Sequence, residues 1–453
     1  MANPPRETRK PLNALEMLEA TAAFAGVMQG IRIGGMVTAV APGYCRVSGL
    51  AHFIKLGESV SLVSGLKSQM GEVVRIEEGG ATIKAFDSVV DAGIGTIAWR
   101  KGPITISPHP GWKGRIINAL GQPIDGAGPL PYGGVPISTE REAPAPMRRK
   151  RVNTPVKTGV RVIDLFTPLC AGQRIGIFAG SGIGKSTLLG MLARARGFDK
   201  CILALVGERG REVREFLEDS LGTERQRAIA VVSTGDESPM MRRLAPKTAM
   251  SIAEYFRDLG ENVLLIVDSV TRFAHAARDV ALAAGEPPVA RGYTPSVFSE
   301  LPKLLERAGP GEEGSGTITA IFSVLVDGDD HNEPVADSIR GTLDGHIVLD
   351  RATADQGRYP AVNIMSSVSR LADHVWSPEE RGLVLKLRAL IARYEDTRDL
   401  RLMGGYHRGV DAELDRAIEL VPKLFECMKQ HPRDPQSVNA FQEVAQALSP
   451  AAE

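Results

Sequence analysis

Cysteine is scarce in this chain: Cys45, Cys170, Cys201 and Cys427 are the four among 453 residues. No two stand in CxxC spacing and no histidine cluster lies beside them. That argues against a zinc site or a disulfide framework, and for reduced, mostly buried thiols in a cytoplasmic protein. Aromatic residues make up 5%, too few for a row of base-stacking platforms. Neither sign of charge is in excess, with 54 Lys+Arg against 54 Asp+Glu. A protein that holds nucleic acid by bulk positive charge is therefore disfavoured. No apolar run approaches the roughly 18 residues of a membrane span. The opening stretch MANPPRETRKPLNALEM has basic residues with no apolar core behind them, unlike a secretory signal. Internal repeats and low-complexity tracts are absent from the sequence.

Turn formers are plentiful, with 48 Gly and 29 Pro. Hydrophobic residues at 43% and charged residues at 24% are ordinary for a globular protein, and the length suggests two to four domains. Residues 1–28 form an N-terminal extension. Pro4, Pro5 and Pro11 keep its start extended; Asn13 with Glu16 has capping-box spacing, and Leu12, Leu15, Leu18 and Ala22 recur at helical spacing up to Gly26. This amphipathic helix either packs on its own domain or docks a partner protein or membrane surface. Over residues 29–100 short β-rich runs (36–40, 59–63, 71–76 and 81–85) separated by Gly and Pro predict a small antiparallel barrel. From residue 101 to 373 continuous apolar strands alternate with helices, the pattern of a mostly parallel sheet covered on both faces. The basic link 143–151 is expected to be a solvated connection rather than a nucleic-acid patch. Residues 374–453 read as helical, with Ser377-Pro378-Glu379-Glu380 as a capped start and Val438, Phe441, Val444 and Leu448 on one face. The fold class is thus multidomain α/β: barrel, α/β domain, helical domain.

The strongest chemical signal is Ala179-Gly180-Ser181-Gly182-Ile183-Gly184-Lys185-Ser186. It fits a phosphate-binding P-loop with Ala179 in place of the usual first glycine. Small residues let backbone N–H groups turn inward around the β- and γ-phosphates, Lys185 adds a charge, and the Ser186 hydroxyl suits Mg²⁺; Thr187 completes the nucleotide-binding set. The apolar strand 263–267 delivers Asp268 at its C-terminal end, where a carboxylate reaches Mg²⁺ through its water shell. Glu208 follows the strand 201–206. In a parallel sheet the strand C-termini share one edge, so Glu208 can meet Lys185 and Asp268 there; the alternative is a surface Glu in a charged loop.

These residues resemble a family. The P-loop, Gly207-Glu208-Arg209, Asp268 and Arg272 are similar to the catalytic ATPases related to the rotary ATP synthase, as is the segment Pro360-Ala361-Val362-Asn363-Ile364-Met365-Ser366-Ser367-Val368-Ser369-Arg370. The resemblance covers about residues 30–430 and implies a RecA-like P-loop domain. It implies that Glu208 activates the attacking water, that Arg209 and Arg272 lie near the γ-phosphate, that Tyr359 packs on adenine, and that Arg370 is an arginine finger for a neighbouring subunit. Because Lys185, Glu208 and Arg370 occur in one chain, identical copies are expected to complete one another's sites, most plainly as a six-membered ring. Gly404-Gly405-Tyr406-His407-Arg408-Gly409-Val410-Asp411, Leu414-Asp415-Arg416-Ala417-Ile418 and the segment Pro155–Asp164 resemble type III protein-export ATPases, the flagellar branch first and the virulence injectisome second. That likeness implies a Mg²⁺-dependent ATPase, cytoplasmic and peripheral to the inner membrane. Its expected partners are regulatory or stalk proteins met through the N-terminal helix, an export gate, exported proteins and chaperones, and the membrane surface. The acidic loop 327–334 is read as pore-facing by this likeness, against a metal site or a solvated turn. A nucleic-acid translocase, a non-catalytic ring subunit and a proton-coupled synthase chain are the rivals, the last disfavoured by the missing acidic loop of the synthase chain.

Overall fold

The computed structural model describes residues 32–326 and 333–449; the expected N-terminal helix and most of the acidic loop lie outside the described residues. The chain divides into two compact units. One runs to Lys84 and resumes over Val89–Gly102; the other takes Ala85–Ser88 and everything from Pro103 onward.

In the first unit β1 (Gly34–Ala41), β2 (Tyr44–Ser48), β3 (Glu58–Ser64), β4 (Lys67–Glu77), β5 (Gly80–Ala85) and β6 (Ile97–Pro103) close into a barrel in the order β1-β2-β5-β4-β3-β6. Alternation of side chains drives it. Cys45 and Val47 of β2 point inward with Val37, Val60, Leu62, Ile83 and Ala98, all buried, while Tyr44 and Arg46 face out. Across the neighbouring strands β3 and β6, Arg100 of β6 donates to both carboxylate oxygens of Glu58 in β3, at 2.7 and 2.6 Å. The four β-rich runs expected from the sequence fall on β1, β3, β4 and β5; β2 and β6 are additions.

The second unit is built on β7 (Ile116–Ile117), β8 (Arg174–Ala179), β9 (Lys200–Val206), β10 (Ala228–Ser233), β11 (Asn262–Asp268), β12 (Thr317–Leu325), β13 (Gly345–Val348) and β14 (Val368–Ser369). Their order is β14-β13-β8-β12-β11-β9-β10-β7. Every neighbouring pair in this order is parallel except the edge pair β13–β14, and the two-residue strand Gly309–Pro310 adds a second antiparallel pairing, with β12. β9 and β10 are buried along their whole length, as a parallel sheet covered on both faces requires. Helices α1 (Lys185–Ala193), α2 (Pro239–Asp258) and α3 (Val270–Ala283) follow strands of this sheet. The C-terminal helices are α4 (Pro378–Asp396), α5 (Ala412–Met428) and α6 (Ala440–Leu448). α4 starts on a full capping box, with Ser377 and Glu380 exchanging side-chain and backbone bonds. Val384, Leu387, Leu414, Val421 and Val444 join Leu188, Leu189 and Ile347 in one continuous core, so these helices pack as part of the α/β unit.

Two expectations are corrected. Val438 is not on the terminal helical face: it precedes the cap Asn439 and is 84% exposed. The basic link is not simply solvated. Arg149 donates to the Pro144 and Glu306 carbonyls and Lys150 to the Ser315 carbonyl, because otherwise unpaired backbone oxygens there take the cations as partners.

Candidate active site

Parallel strands place their C-terminal ends along one edge, and the polar residues gather there. β8 ends at Ala179 and turns through Gly182 (φ 77°) and Gly184 (φ 87°) into α1. Positive φ at these positions is open to glycine at no steric cost, and the loop's N–H groups precede a helix N-terminus, a ready anion site. Lys185 opens α1, its ammonium paired with Asp268 at the end of β11 and 3.7 Å from Glu208 Oε1. Asp268 is 3% exposed. It also accepts from Ser323 Oγ of β12 at 2.5 Å, which fixes the carboxylate against the sheet.

Glu208 enters from β9. Gly207 N–H donates to Ser233 O at 2.7 Å and Gly235 N–H to Glu208 O at 3.0 Å, so the loop is pinned to the end of β10. Gly207 has φ 71°, and a Cβ there would lie 3.1 Å from Arg272 Cβ and Cγ. The glycine thus admits the Arg272 stem beside Glu208. Burial pushes the Glu208 carboxyl above its ordinary range, and the Asp268 charge adds to this, outweighing the opposing pull of Lys185 and Arg272. Its Oε1 is buried without a hydrogen-bond partner, and so is Arg272 Nε. Buried polar atoms left unpaired are costly, and a water and a phosphate are the groups that would satisfy this carboxylate and this guanidinium.

The donors fit a hard cation. Mg²⁺ prefers oxygen ligands from one or two carboxylates together with substrate phosphates. Here the Asp268 carboxylate already pairs with a cation, the Lys185 ammonium, and Ser186, next to Lys185 in the chain, is exposed. Among the described residues no group of three His, Cys, Asp or Glu is arranged to hold a metal.

Tyr359 lies against the start of α1: a Cβ on Gly184 would be 3.6 Å from its ring. Tyr359 and Pro360 line a cavity of about 530 Å³ together with Gly184 and Thr187 of the P-loop segment. Arg209 is not drawn into the cluster. It stands just before the helix Gly210–Glu215, 83% exposed, paired with Glu212 at 3.2 Å. Arg370 is further away still. Its N–H donates to Asp344 O, and Asp344 N–H to Arg174 O, so it lies level with the first residue of β8, whereas the P-loop follows the last. Five residues of strand rise separate them, about 16 Å, and the Arg370 side chain is exposed. Sequence reasoning missed two groups. Ser323 is signalled by a hydroxyl between Phe322 and Val324 near the end of an apolar strand; Arg351, which donates to Ser181 O at 3.0 Å, carries no local signal.

Among the described residues no helix is long and apolar enough to cross a membrane. Residues 159–369 match the ATP synthase alpha/beta family, nucleotide-binding domain, and residues 376–448 the T3SS EscN ATPase C-terminal domain. A protein named flagellum-specific ATP synthase, from Agrobacterium fabrum, is 58% identical over 415 residues, 92% of this chain and 88% of its own. The solved structure of the assembled ATPase EscN from the enteropathogenic E. coli type III secretion system matches with a TM-score of 0.86 at 38% identity, over 92% of this chain and 100% of that one. EscN in complex with its central stalk EscO matches with a TM-score of 0.84 at 38% identity, over the same shares, 92% and 100%.

Proposed function

The chain belongs to the ATP synthase alpha/beta family and, within it, to the ATPases of flagellar type III export, and from that membership and the site geometry we propose how its residues cleave ATP. The triphosphate lies in the P-loop turn 179–187, with Lys185 leaving Asp268 for the β- and γ-phosphates. Glu208, held by the Ser233 and Gly235 backbone, orients the attacking water in line with the γ-phosphate and takes up its proton. Arg272 lies against the transferring group. Ser186 and Asp268 would hold Mg²⁺, which when bound would neutralise charge on the phosphates. Tyr359 stacks on the adenine.

Arg370 acts on the site of a neighbouring copy. The observation that carries this reading is the split between the two sheet edges. Lys185, Glu208 and Asp268 converge on one, while Arg370 stands on the other, beyond the reach of an arginine side chain to its own P-loop. A finger supplied by a partner is worth about 10³ to 10⁵ in rate. We therefore read the working form as a ring of like subunits, six by the family likeness. The EscN complex supports a central stalk partner. Residues 1–28 are the proposed contact for regulatory proteins and the membrane surface on the cytoplasmic side, with the export gate, exported proteins and chaperones as further partners.

Phosphate release by Glu208→Gln tests the assignment. The carboxamide keeps the shape but neither accepts the proton nor carries the charge, so turnover should fall at least about a hundredfold with nucleotide still bound. Near-normal turnover refutes the role of Glu208.

A further inference from the structure

The cavity beside Tyr359 has a second wall with chemistry of its own. It is the segment 429–434, which leaves the end of α5 and supplies His431 and Asp434 to the lining. Its anchor is Gln430, 4% exposed. The Gln430 N–H donates to Tyr359 O at 2.8 Å, its side-chain amide donates to Gly159 O at 2.8 Å, and its Oε1 accepts from Arg161 N–H at 3.1 Å. The wall is therefore tied to the same residue that offers the aromatic ring. Beyond Gln430 the chain makes a closed turn. His431 N–H donates to Asp434 Oδ2 at 2.7 Å and Asp434 N–H returns to His431 O at 2.9 Å. His431 Nδ1 accepts from Arg433 N–H at 3.1 Å. With Nδ1 occupied as an acceptor, the ring's hydrogen sits on Nε2. His431 and Asp434, both exposed, line the cavity, so the turn has an N–H donor and a carboxylate to offer a ligand there.

We propose that His431 is a specificity-determining residue: its Nε2–H donates to the N1 acceptor of adenine, and the Asp434 carboxylate accepts from the adenine amino group. The assignment rests on Tyr359 marking the base pocket, and it adds the hydrogen-bonding edge that stacking alone lacks. A base entering past Gly184 and Thr187 turns its ribose-distal edge to this turn. Adenine offers an acceptor at N1 with a donor at C6. Guanine offers the reverse, N1–H beside O6, so a donor fixed opposite N1 meets a donor. A site built to hydrogen-bond one partner rejects the analogue that leaves its groups unpaired.

The test is the binding of ADP and of GDP to the full chain by titration calorimetry, in the wild type, His431→Ala, His431→Asn and Tyr359→Ala. Asn keeps an acceptor for the N–H two residues on, as asparagine does in Asx-turns, but withdraws the donor from the cavity. Both His431 variants should lose ADP affinity about three- to tenfold, one hydrogen bond's worth, with GDP affinity undiminished because no donor then opposes guanine N1–H, while Tyr359→Ala weakens both nucleotides. If Tyr359→Ala weakens both and either His431 variant binds ADP as the wild type does, or loses ADP and GDP equally, the assignment to His431 is overturned and the pocket stands. If Tyr359→Ala leaves both nucleotides unchanged, the pocket itself is wrong and the proposal falls with it.

Discussion

Consider two inactive chains mixed together. Lys185→Ala removes the phosphate-binding cation but keeps Arg370; Arg370→Ala keeps the complete P-loop edge but removes the finger. Each alone should turn over at no more than about 10⁻³ of the wild-type rate, the lower end of what a finger contributes, equivalent to at least about 4 kcal/mol of barrier. Arg370 lies level with Arg174, at the opposite end of β8 from Ala179, so a chain cannot rescue itself. In oligomers assembled from an equal mixture, an interface is competent when the P-loop comes from one mutant and the finger from the other. For head-to-tail contacts between like subunits that is roughly one interface in four. Phosphate release should therefore recover to about a quarter of the wild-type rate per site when the chains are co-assembled. It should fall back on dilution to separate chains. A mixture that only sums its parents refutes the shared site, and so does a wild-type chain that keeps full turnover at every dilution.

The pH–rate profile carries a second expectation. Glu208 must be ionised to accept the proton, and burial holds its carboxyl above the ordinary range, so kcat should fall on acidification from a higher pH than an ordinary carboxylate would give; an acid limb unchanged in Glu208→Gln contradicts it. Stability should show a different acid signature. Burial raises Glu300, but the Lys247 and Arg243 charges outweigh it and bring the carboxyl down from 4.5 to about 2. A depressed folded-state value gives stability that is present above the unfolded value and lost as pH falls from 4.5 towards 2, amounting to about 3 kcal/mol at neutral pH. Urea titrations of the wild type and Glu300→Gln should converge on acidification across that window; a difference that persists at pH 2 removes the ion pair as its cause.

How much of this was legible in the sequence follows from the range of the forces involved. The P-loop, the strand before it and the helix after it are local, and the sequence placed them. So are the Ser377 cap and the alternating runs behind β1, β3, β4 and β5. β2 escaped because only Cys45 and Val47 turn inward between Gly43 and Gly49; β6 escaped because only Ala98 of its residues joins the barrel's apolar core, in a strand that also carries Arg100 and Lys101. The Glu208–Lys185–Asp268 cluster was foreseeable from strand order alone, since parallel strands bring their C-terminal ends together. What no local rule yields is the direction of an exposed side chain, hence Arg209 turning to Glu212. Nor does it yield the partner of a distant segment, hence Gln430 bonded to Tyr359 across 71 positions of sequence.

Register is what converts these local facts into an assembly argument. The hydrogen bonds from Arg370 to Asp344 and from Asp344 to Arg174 fix the finger at one end of the sheet as firmly as Ala179 fixes the P-loop at the other. If both act on one triphosphate, one edge of the sheet must meet the opposite edge of another copy. Made head to tail, such a contact either closes into a ring or continues as a filament. A two-fold dimer has to bring both reciprocal pairs, each P-loop end against the partner's finger end, into one interface, whereas a head-to-tail contact needs only one such pair; turnover that keeps rising with protein concentration beyond the dimer separates the two.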